Sequence, residues 1–347
     1  MARTPMMNDL LAFPCALDME RPKALFRHLP EDFFVDEQLG FELTGEGEHL
    51  WLQVEKTGLN TMDVVNKLSE LSGVKARDIG FAGLKDKQAV TRQWFSIKTS
   101  KDFGNEDFGK DSKLKVLAQS RNAKKLRRGS HHSNQFRIHL RQIQGDLSEL
   151  QSNKKLGAMG VPNYFGLQRF GKEGANLEQA KSLLNGTLNR CSRFKQGLYL
   201  SAARSFLFNQ VLASRVRENT WNDYVAGDVM SLEGSASVFL SEKDDAQLAS
   251  RLAEGDIHPT GPLWGKGNLK CQDDVQELEV SIAKKFPEFT ALLEVAGLKQ
   301  ERRALRLKPE NLSLMANGAD ELVVEFSLPK GGYATSVLRE LVDAPGL

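Results

Sequence analysis

The spacing of apolar residues changes twice along this chain of 347 residues, and that change limits the folds the chain can adopt. Near the N-terminus, "EDFFVDE" and "HLWLQVEK" alternate apolar and polar side chains, as half-buried strands do. From about residue 159, helical spacing dominates in "ANLEQAKSLLNG", "SAARSFLFNQVLASRVREN" and "DDAQLASRLAEG". Strand alternation returns in "RRALRLK" and "ELVVEFSLP", before a helical pattern in "ATSVLRELV". Strands at both ends with helices between them predict an α+β fold in which one domain interrupts another.

One helix is predicted inside the N-terminal strand region. In "NTMDVVNKLSELSG" the apolar residues Val64, Leu68 and Leu71 recur at helical spacing. Asn60 or Thr61 supplies the N-cap, and a glycine follows the last turn. The stretch "GFAGLKDKQAVTRQWFSI" comes next and predicts a glycine-bounded turn that leads into a strand.

Composition restricts the class of protein. Hydrophobic residues make up 40% and charged residues 27%, which is typical of a globular chain, and the length suits two domains. No apolar run approaches the ~20 residues of a membrane span, and "MARTPMMNDLLAFPCALDME" is too weakly apolar for a signal peptide. The three scattered cysteines form neither a CxxC pair nor a disulfide framework, and the six histidines lack metal-ligand spacing. We therefore expect a cytoplasmic protein with no membrane segment and no structural metal.

Asp86 is the first candidate for chemistry, because it stands between Lys85 and Lys87 in the glycine-bounded turn. A solvated turn with weak ion pairs would explain the same residues. However, Gly80 and Gly83 suit close approach of the backbone to another group, and basic neighbours favour an ionised carboxylate. An ionised, buried aspartate can act as a nucleophile. The local residues leave both interpretations open.

The span between Asp111 and Asp146 contains no acidic residue, although it is rich in lysine and arginine. At its end, "NQFRIHLRQ" alternates apolar side chains with basic ones, which predicts a strand with a basic face. Such a span is either a solvated surface or a phosphate-binding one. Its basic residues are Lys113, Lys115, Arg121, Lys124, Lys125, Arg127, Arg128, Arg137 and Arg141.

Aromatic residues allow a similar pair of interpretations. Phe33 and Phe136 fit core packing on alternating strands, but exposed rings can also stack on RNA bases. In "KGGYATS", Tyr333 directly follows two glycines and is less easily explained as core. "NYFGLQRFG" combines aromatics, glycines and Arg169, and it fits a hinge, an RNA surface or a packed domain junction.

Several motifs that would indicate another enzyme class do not occur. The chain has no GxxxxGK[ST], GxGxxG, GxSxG or HExxH sequence. A nucleotide-powered or metal-dependent enzyme is therefore disfavoured.

Six segments, in the same order along the chain, resemble the TruD family of tRNA pseudouridine synthases. "GFAGLKDKQAVTRQWFSI" is similar to the family signature G-x-K-D-(K/R)-x-A-x-T-x-Q, in which the aspartate is the catalytic nucleophile. The other segments are "RHLPEDFFVDE", "NQFRIHLR", "NYFGLQRFG", "GDIHPTGPLWG" and "SLPKGGYATSVLREL". The resemblance covers nearly the whole chain.

The resemblance implies roles for individual residues. Asp86 stands at the position of the nucleophile, and Arg27 stands where the family has a basic residue paired with it. Four residues are expected to hold the flipped base: Phe33, Asn134, Phe136 and Tyr333. The chain departs from the family pattern at Ser133, where glycine is usual, and at Tyr333, where phenylalanine is common. The expected RNA-binding residues are Lys85, Lys87, Arg92, Lys124, Lys125, Arg127, Arg128 and Arg169.

The resemblance also implies a fold and a reaction. We expect a pseudouridine-synthase-type catalytic domain with a mixed, mostly antiparallel sheet, formed by residues 1–158 and 305–347. An inserted α/β TRUD domain, 159–304, is expected to close a basic cleft over the RNA. The expected reaction isomerises uridine to pseudouridine at position 13 of tRNA, in a monomer without metal or cofactor. The residues alone leave attack on the sugar and attack on the base equally open, and they do not name the base that removes the C5 proton.

Two rival functions lead to different expectations. A non-catalytic RNA-binding module on the same scaffold would not need Asp86. A phosphodiester-cleaving enzyme that used Asp86 with a metal would need a second acidic residue close to it in space.

Overall fold

The computed structural model describes residues 10–109, 113–147, 155–188, 191–242 and 245–347. Residues 1–9, which belong to the N-terminal segment judged too weakly apolar for a signal peptide, lie outside these ranges. Residues 110–112, where the acid-free span begins, also lie outside them. No helix in the described ranges is long and apolar enough to span a bilayer.

The described residues contain fifteen strands and eight α-helices, numbered along the chain. The strands are Lys23–Leu25 (β1), Phe33–Gln38 (β2), His49–Thr57 (β3), Gly80–Phe81 (β4), Val90–Lys98 (β5), Leu114–Asn122 (β6), Ser133–Gln144 (β7), Val161–Pro162 (β8), Val229–Leu232 (β9), Val238–Leu240 (β10), Ile257–Leu263 (β11), Glu301–Ala304 (β12), Arg306–Leu307 (β13), Glu310–Ala316 (β14) and Leu322–Pro329 (β15). The helices are Thr61–Ser72 (α1), Lys155–Met159 (α2), Ala175–Leu184 (α3), Arg193–Arg217 (α4), Leu248–Glu254 (α5), Asp273–Lys285 (α6), Pro287–Val295 (α7) and Ala334–Leu341 (α8).

The chain forms two compact units. The first, which we call the sheet unit, comprises Pro22–Asn153 and Pro309–Gly331. The second, the helical unit, comprises Met1–Arg21, Lys154–Lys308 and Gly332–Leu347.

A nine-stranded sheet organises the sheet unit. Its main order is β14-β15-β7-β2-β5-β3-β6, with β1 paired to β7 and β4 paired to β5. Among these pairings, β2 and β5 run parallel and the others run antiparallel. The predicted α+β class with a mixed, mostly antiparallel sheet is confirmed.

Helix α1 covers one face of this sheet. Val64 and Leu68 are fully buried in a core formed with residues of β3 and β5. The helix begins after Asn60, whose amide donates to the Asp63 carboxylate at 2.7 Å. It ends at Gly73, which adopts the left-handed conformation with φ of 74°. The predicted helix and both of its ends are confirmed.

Strand β7 alternates as predicted, with Phe136, Ile138 and Leu140 buried. Its basic side chains, however, meet acidic partners. Arg137 stands opposite Glu325 in the β15 register, with 3.2 Å between Nε and the carboxylate. Arg141 lies 2.8 Å from Asp32 and also pairs with Glu321 on the loop before β15. The acid-free span therefore receives acids from distant parts of the chain, which local composition does not reveal.

The helical unit is built around helix α4. Phe206 and Leu212 of α4 are fully buried among residues of α3, α7 and the C-terminal side of the chain. A four-stranded antiparallel sheet, β10-β9-β11-β12, and the pair β13-β8 complete the unit. Both chain ends belong to it: the Phe13 ring stacks on Tyr164 with centroids 5.2 Å apart, and α8 packs against β8.

The predicted domain boundaries, 1–158 with 305–347 and 159–304, stay a prediction about functional domains. The compact units change over at residues 153–154 and 308–309, close to two of these boundaries. They differ in grouping 1–21 and 332–347 with the helical unit. The physical reason is the packing of Phe13 and α8 described above.

Candidate active site

The loop between β4 and β5 carries Asp86. Strand β4, which leads into this loop, begins at Gly80. The position requires glycine, because a Cβ there would lie 2.4 Å from both the Leu126 carbonyl oxygen and the Ser96 hydroxyl. The expected close approach at Gly80 is thus to the protein's own backbone. Gly83 is not crowded in this way, since a Cβ there would have its nearest neighbour at 3.9 Å, on His131.

The loop is anchored at several main-chain groups. The Gly83 carbonyl accepts a hydrogen bond from the Gln93 side-chain amide at 2.5 Å. The Lys85 amide donates to the Thr61 hydroxyl at 2.9 Å, and that hydroxyl donates to Gln93 at 3.0 Å. A buried network from α1 and β5 therefore holds the backbone just before Asp86.

Asp86 and Arg27 form an ion pair. The guanidinium Nη2 donates to the carboxylate Oδ2 at 2.6 Å. The Asp86 side chain is 45% exposed, whereas that of Arg27 is 12% exposed. The guanidinium lies over the Phe33 ring, 4.0 Å from its centroid, and near Phe26 at 5.0 Å. The carboxylate is thus open to solvent while its cationic partner is fixed by aromatic contacts.

Three phenylalanine rings continue from this ion pair into the sheet. Phe33 meets Phe136 edge to face at 6.0 Å, and Phe136 stacks on Phe326 at 5.3 Å. All three rings are buried. Core packing of Phe33 and Phe136 is therefore observed, and their contact with a base stays a prediction.

A buried polar cluster adjoins the rings. The Lys85 ammonium lies 2.9 Å from a carboxylate oxygen of Glu37 and donates to the side-chain oxygen Oδ1 of Asn134 at 2.7 Å. Glu37 also accepts from the Trp94 amide at 3.2 Å. Burial raises the pKa of Glu37, and the Lys85 charge opposes that rise. With its side chain only 8% exposed, Lys85 lies in a different environment from the exposed one that phosphate contact requires.

His131 borders the same cluster. Its Nε2 lies 3.4 Å from the side-chain nitrogen Nδ2 of Asn134. Burial, together with the positive charges of Lys85 and Lys330, lowers the pKa of His131 to about 4. The imidazole is therefore neutral at neutral pH.

The other residues expected to bind RNA differ in their surroundings. Lys87, Lys124 and Arg127 are exposed, which suits contact with phosphate. Arg92 instead pairs with Glu55 at 3.0 Å and lies 3.7 Å from Asp36. Its charge is largely matched within the sheet.

Two more of the residues expected to bind RNA already interact with groups of the protein. Lys125 donates to the Arg77 carbonyl at 3.3 Å. The Arg128 guanidinium lies over the Phe81 ring, 3.5 Å from its centroid, and its burial lowers the pKa. Both side chains must give up or share these contacts to reach a phosphate.

The helical unit contains a second aromatic and cationic cluster. Arg169 donates hydrogen bonds to the Tyr333 hydroxyl and, at 2.8 Å, to the Ser201 hydroxyl. The Arg303 guanidinium lies 4.3 Å from the centroid of the Phe165 ring, and burial lowers its pKa to about 10. Tyr333 and Arg169, both singled out in the sequence, are thus brought together.

"NYFGLQRFG" lies largely in the core of the helical unit, since Tyr164 and Phe170 are almost fully buried. Asn209 holds its backbone, donating to the Phe165 carbonyl at 3.0 Å and accepting from the Phe165 amide at 2.9 Å. Packing therefore explains most of this segment.

Several residues that contact the Asp86 loop or the adjoining phenylalanine rings received no functional role in the sequence analysis: Glu37, Lys56, Thr61, Gln93 and Phe326. Strand alternation carried a signal for two of them. Glu37 shares the buried face of β2 with Phe33 and Val35, and Lys56 shares that of β3 with Val54. A charged residue on an apolar face needs a buried partner.

Within the described ranges, no group of three or more His, Cys, Asp or Glu side chains could hold a metal ion. The group that contacts the Asp86 carboxylate is a guanidinium.

Comparisons with known proteins agree with the six colinear segments. The family model for tRNA pseudouridine synthase D (TruD) matches residues 15–191 and 175–341. The tRNA pseudouridine synthase D of Hydrogenovibrio crunogenus is 42% identical over 97% of this chain and 99% of its own. That of Pseudomonas aeruginosa strain LESB58 is 43% identical over 92% and 91%, respectively.

The fold is also shared with a solved structure. A Methanosarcina mazei protein, assigned in its crystal structure to tRNA pseudouridine synthase D, superposes with a TM-score of 0.72 at 23% identity. The match covers 96% of this chain and 97% of that one. At this identity the likeness concerns the fold, while the sequence relatives carry the assignment. By the extent of the family match and the identity to these relatives, the chain belongs to the tRNA pseudouridine synthase D (TruD) family.

Proposed function

We propose that this protein isomerises uridine 13 of tRNA to pseudouridine, with Asp86 as the nucleophile and the base flipped out of its stack. Membership of the family supports isomerisation of uridine in tRNA. The position, the nucleophile and the flipping are the parts that we add to it.

The observation that carries the proposal is the state of Asp86. Its carboxylate is half-exposed, fixed by Arg27 at 2.6 Å, and mounted on a loop whose backbone is anchored. A nucleophile needs to be reachable, charged and held in one geometry. The guanidinium compensates the negative charge that such a carboxylate carries.

The reaction balances without an added reagent. The C1′–N1 bond of uridine breaks, the base turns, and a C1′–C5 bond forms. The C5 proton leaves and N1 gains one, so the product is an isomer. The bond that the Asp86 carboxylate forms, to C1′ of the sugar or to a ring carbon of the base, breaks again before the product leaves, so the carboxylate is regenerated.

Base flipping supplies a role for the aromatic residues. Extruding a nucleotide costs a few kcal/mol, and stacking on a ring returns roughly 1–3 kcal/mol per base. Within the sheet unit, we assign this stacking to Phe33 and Phe136, and the polar contact with the base to Asn134. The stacking role expected of Tyr333, in the helical unit, stays a separate prediction. The exposed lysines and arginines of the acid-free span then bind phosphates and orient the tRNA.

Tritium release tests the proposal. Unmodified tRNA transcribed with [5-³H]uridine should release tritium to water when incubated with the purified protein in the presence of EDTA. An Asp86→Asn variant should release none, while Asp78→Asn, a change at an exposed aspartate before β4, should keep the wild-type rate.

The rival functions give other outcomes in the same assay. RNA binding without tritium release from the wild-type protein would indicate a binding module. RNA cleavage that EDTA abolishes would indicate a metal-dependent phosphodiesterase.

A further inference from the structure

Lys56 carries a buried charge beside the Asp86 loop. The residue lies near the C-terminal end of β3 and is fully buried. Its ammonium donates to the Leu59 carbonyl at 2.6 Å and to the Asp86 carbonyl at 2.8 Å. Both acceptors are main-chain oxygens rather than carboxylates.

This charge is costly to keep in the fold. Burial lowers the pKa of Lys56 to about 8, while the negative charges of Asp86 and Asp63 oppose that shift and the charge of Lys85 adds to it. Leu52 and Val54, which precede Lys56 on the same strand, are apolar and fully buried. An apolar residue at position 56 would thus continue the buried face at lower cost, so packing alone does not explain a lysine here.

The two hydrogen bonds tie two segments together. Leu59 lies in the turn between β3 and α1, and Asp86 lies in the loop between β4 and β5. Thr61, the first residue of α1, follows this turn, and its hydroxyl accepts a hydrogen bond from the Lys85 amide at 2.9 Å. Hydrogen bonds therefore fix the main chain on both sides of the Asp86 Cα. One is made by the amide of the preceding residue, Lys85, and the other by the carbonyl of Asp86 itself.

A third hydrogen bond joins the turn after β3 to the Asp86 loop. The Gly58 amide donates to the Ala89 carbonyl at 3.2 Å, three residues after Asp86. With the backbone held on both sides, the direction of the Asp86 side chain toward Arg27 is set by few remaining rotations.

We propose that Lys56 is a positioning residue that holds the nucleophile through its backbone carbonyl. The inference rests on the proposed function, in which Asp86 attacks uridine. Lys56 has no exposed surface and points at main-chain oxygens, so it touches neither substrate nor reacting atoms. Its effect is on the geometry of attack, where a shift of about 1 Å can cost about 10²-fold in rate.

The test separates chemistry from binding. Lys56→Met keeps the length of the side chain and removes the donors. We expect its single-turnover rate of pseudouridine formation at saturating enzyme to fall on the order of 10²-fold. The Kd for tRNA should stay within about 3-fold, because the ammonium lies beneath the surface.

Two further variants keep the test decisive. Val54→Ala lies on the same strand, in the core with Val64 and Leu68, and removes buried methyl groups, so it lowers stability while both Lys56 hydrogen bonds stay in place. It should keep the wild-type rate. Lys56→Gln retains one amide donor and replaces Lys56→Met if that variant does not fold; its rate should also fall while its Kd holds.

The outcomes are distinguishable. If wild-type protein forms no pseudouridine, the proposed function fails. If the wild-type protein is active and the Lys56 variants react at its rate, the inference is overturned while the function stands. It is also overturned if the Lys56 variants lose only tRNA affinity, or if Val54→Ala loses as much rate at equal stability.

Discussion

Lys85 directly precedes the proposed nucleophile Asp86, and its ammonium lies 2.9 Å from the carboxylate of the fully buried Glu37. The same ammonium donates to Asn134, which we assign to the base. A structural ion pair thus reaches into the candidate active site through a single lysine. It connects β2, the Asp86 loop and β7.

Glu37→Gln should destabilise the protein by about 3 kcal/mol, because it leaves a buried ammonium without its counter-charge. Urea unfolding measures this change. The matched control is Glu325→Gln, whose partner Arg137 is largely exposed, and its cost should stay below about 1 kcal/mol. Adding Lys85→Met to Glu37→Gln should recover part of the loss. Equal costs for Glu37→Gln and its control would contradict a buried, stabilising pair.

Arg27→Gln should lower the rate of pseudouridine formation by about 10- to 100-fold, since Asp86 loses its charged partner and its fixed direction. Arg27→Lys should lie between that variant and the wild type, because lysine restores charge but not the planar contact with Phe33. Single-turnover kinetics give the comparison. Arg77→Gln, at an exposed arginine of the sheet unit, serves as control. A wild-type rate in Arg27→Gln would show that Asp86 acts without this ion pair.

Lys124→Ala with Arg127→Ala should weaken tRNA binding and reduce its salt dependence. Each lost phosphate contact removes about 0.7–0.9 from the slope of log K against log salt, so the pair removes up to about 1.8. Equilibrium binding at several KCl concentrations gives the slope. Lys67→Ala, at a lysine of α1 that pairs with Glu70, should leave it unchanged. If the double variant keeps the wild-type slope, these two residues do not contact the RNA backbone.

His131 should make the protein less stable in acid. Its folded pKa of about 4 lies below the ordinary value of 6.5, so the unfolded chain binds the proton more tightly. The contribution is fully present above pH 6.5 and is lost as the pH falls toward 4, by about 3 kcal/mol in total. In His131→Gln, the unfolding free energy should fall less steeply than in the wild type between pH 6.5 and pH 4. His28→Gln, a change at an exposed histidine, should keep the wild-type dependence on pH. Parallel curves for wild type and His131→Gln between pH 7 and pH 4 would contradict the shift.

Local patterns were sufficient where the structure depends on neighbours along the chain. The helix from Thr61, its start after Asn60 and its end at Gly73 follow from spacing and capping residues alone. The alternation of β7 is of the same kind. The contact between Arg27 and Asp86, 59 residues apart, needed the family resemblance, because no local pattern pairs them.

Charge was harder to predict, since partners come from distant strands. The acid-free span suggested a free basic face, yet Arg137 meets Glu325 through the β15 register. Lys85 suggested a surface for RNA, yet Glu37 holds it inside. Strand pairing determines these contacts, and the sequence around each basic residue does not indicate which distant acidic residue will be its partner.

In the proposed function, Asp86 is the nucleophile that forms pseudouridine at position 13 of tRNA. Position-resolved mapping of pseudouridine tests it most directly, in tRNA from cells that carry either the wild-type protein or Asp86→Asn as their only copy. We predict pseudouridine at position 13 with the wild-type protein and unmodified uridine there with Asp86→Asn, at equal protein levels. Pseudouridine at position 13 in the Asp86→Asn cells would contradict the account.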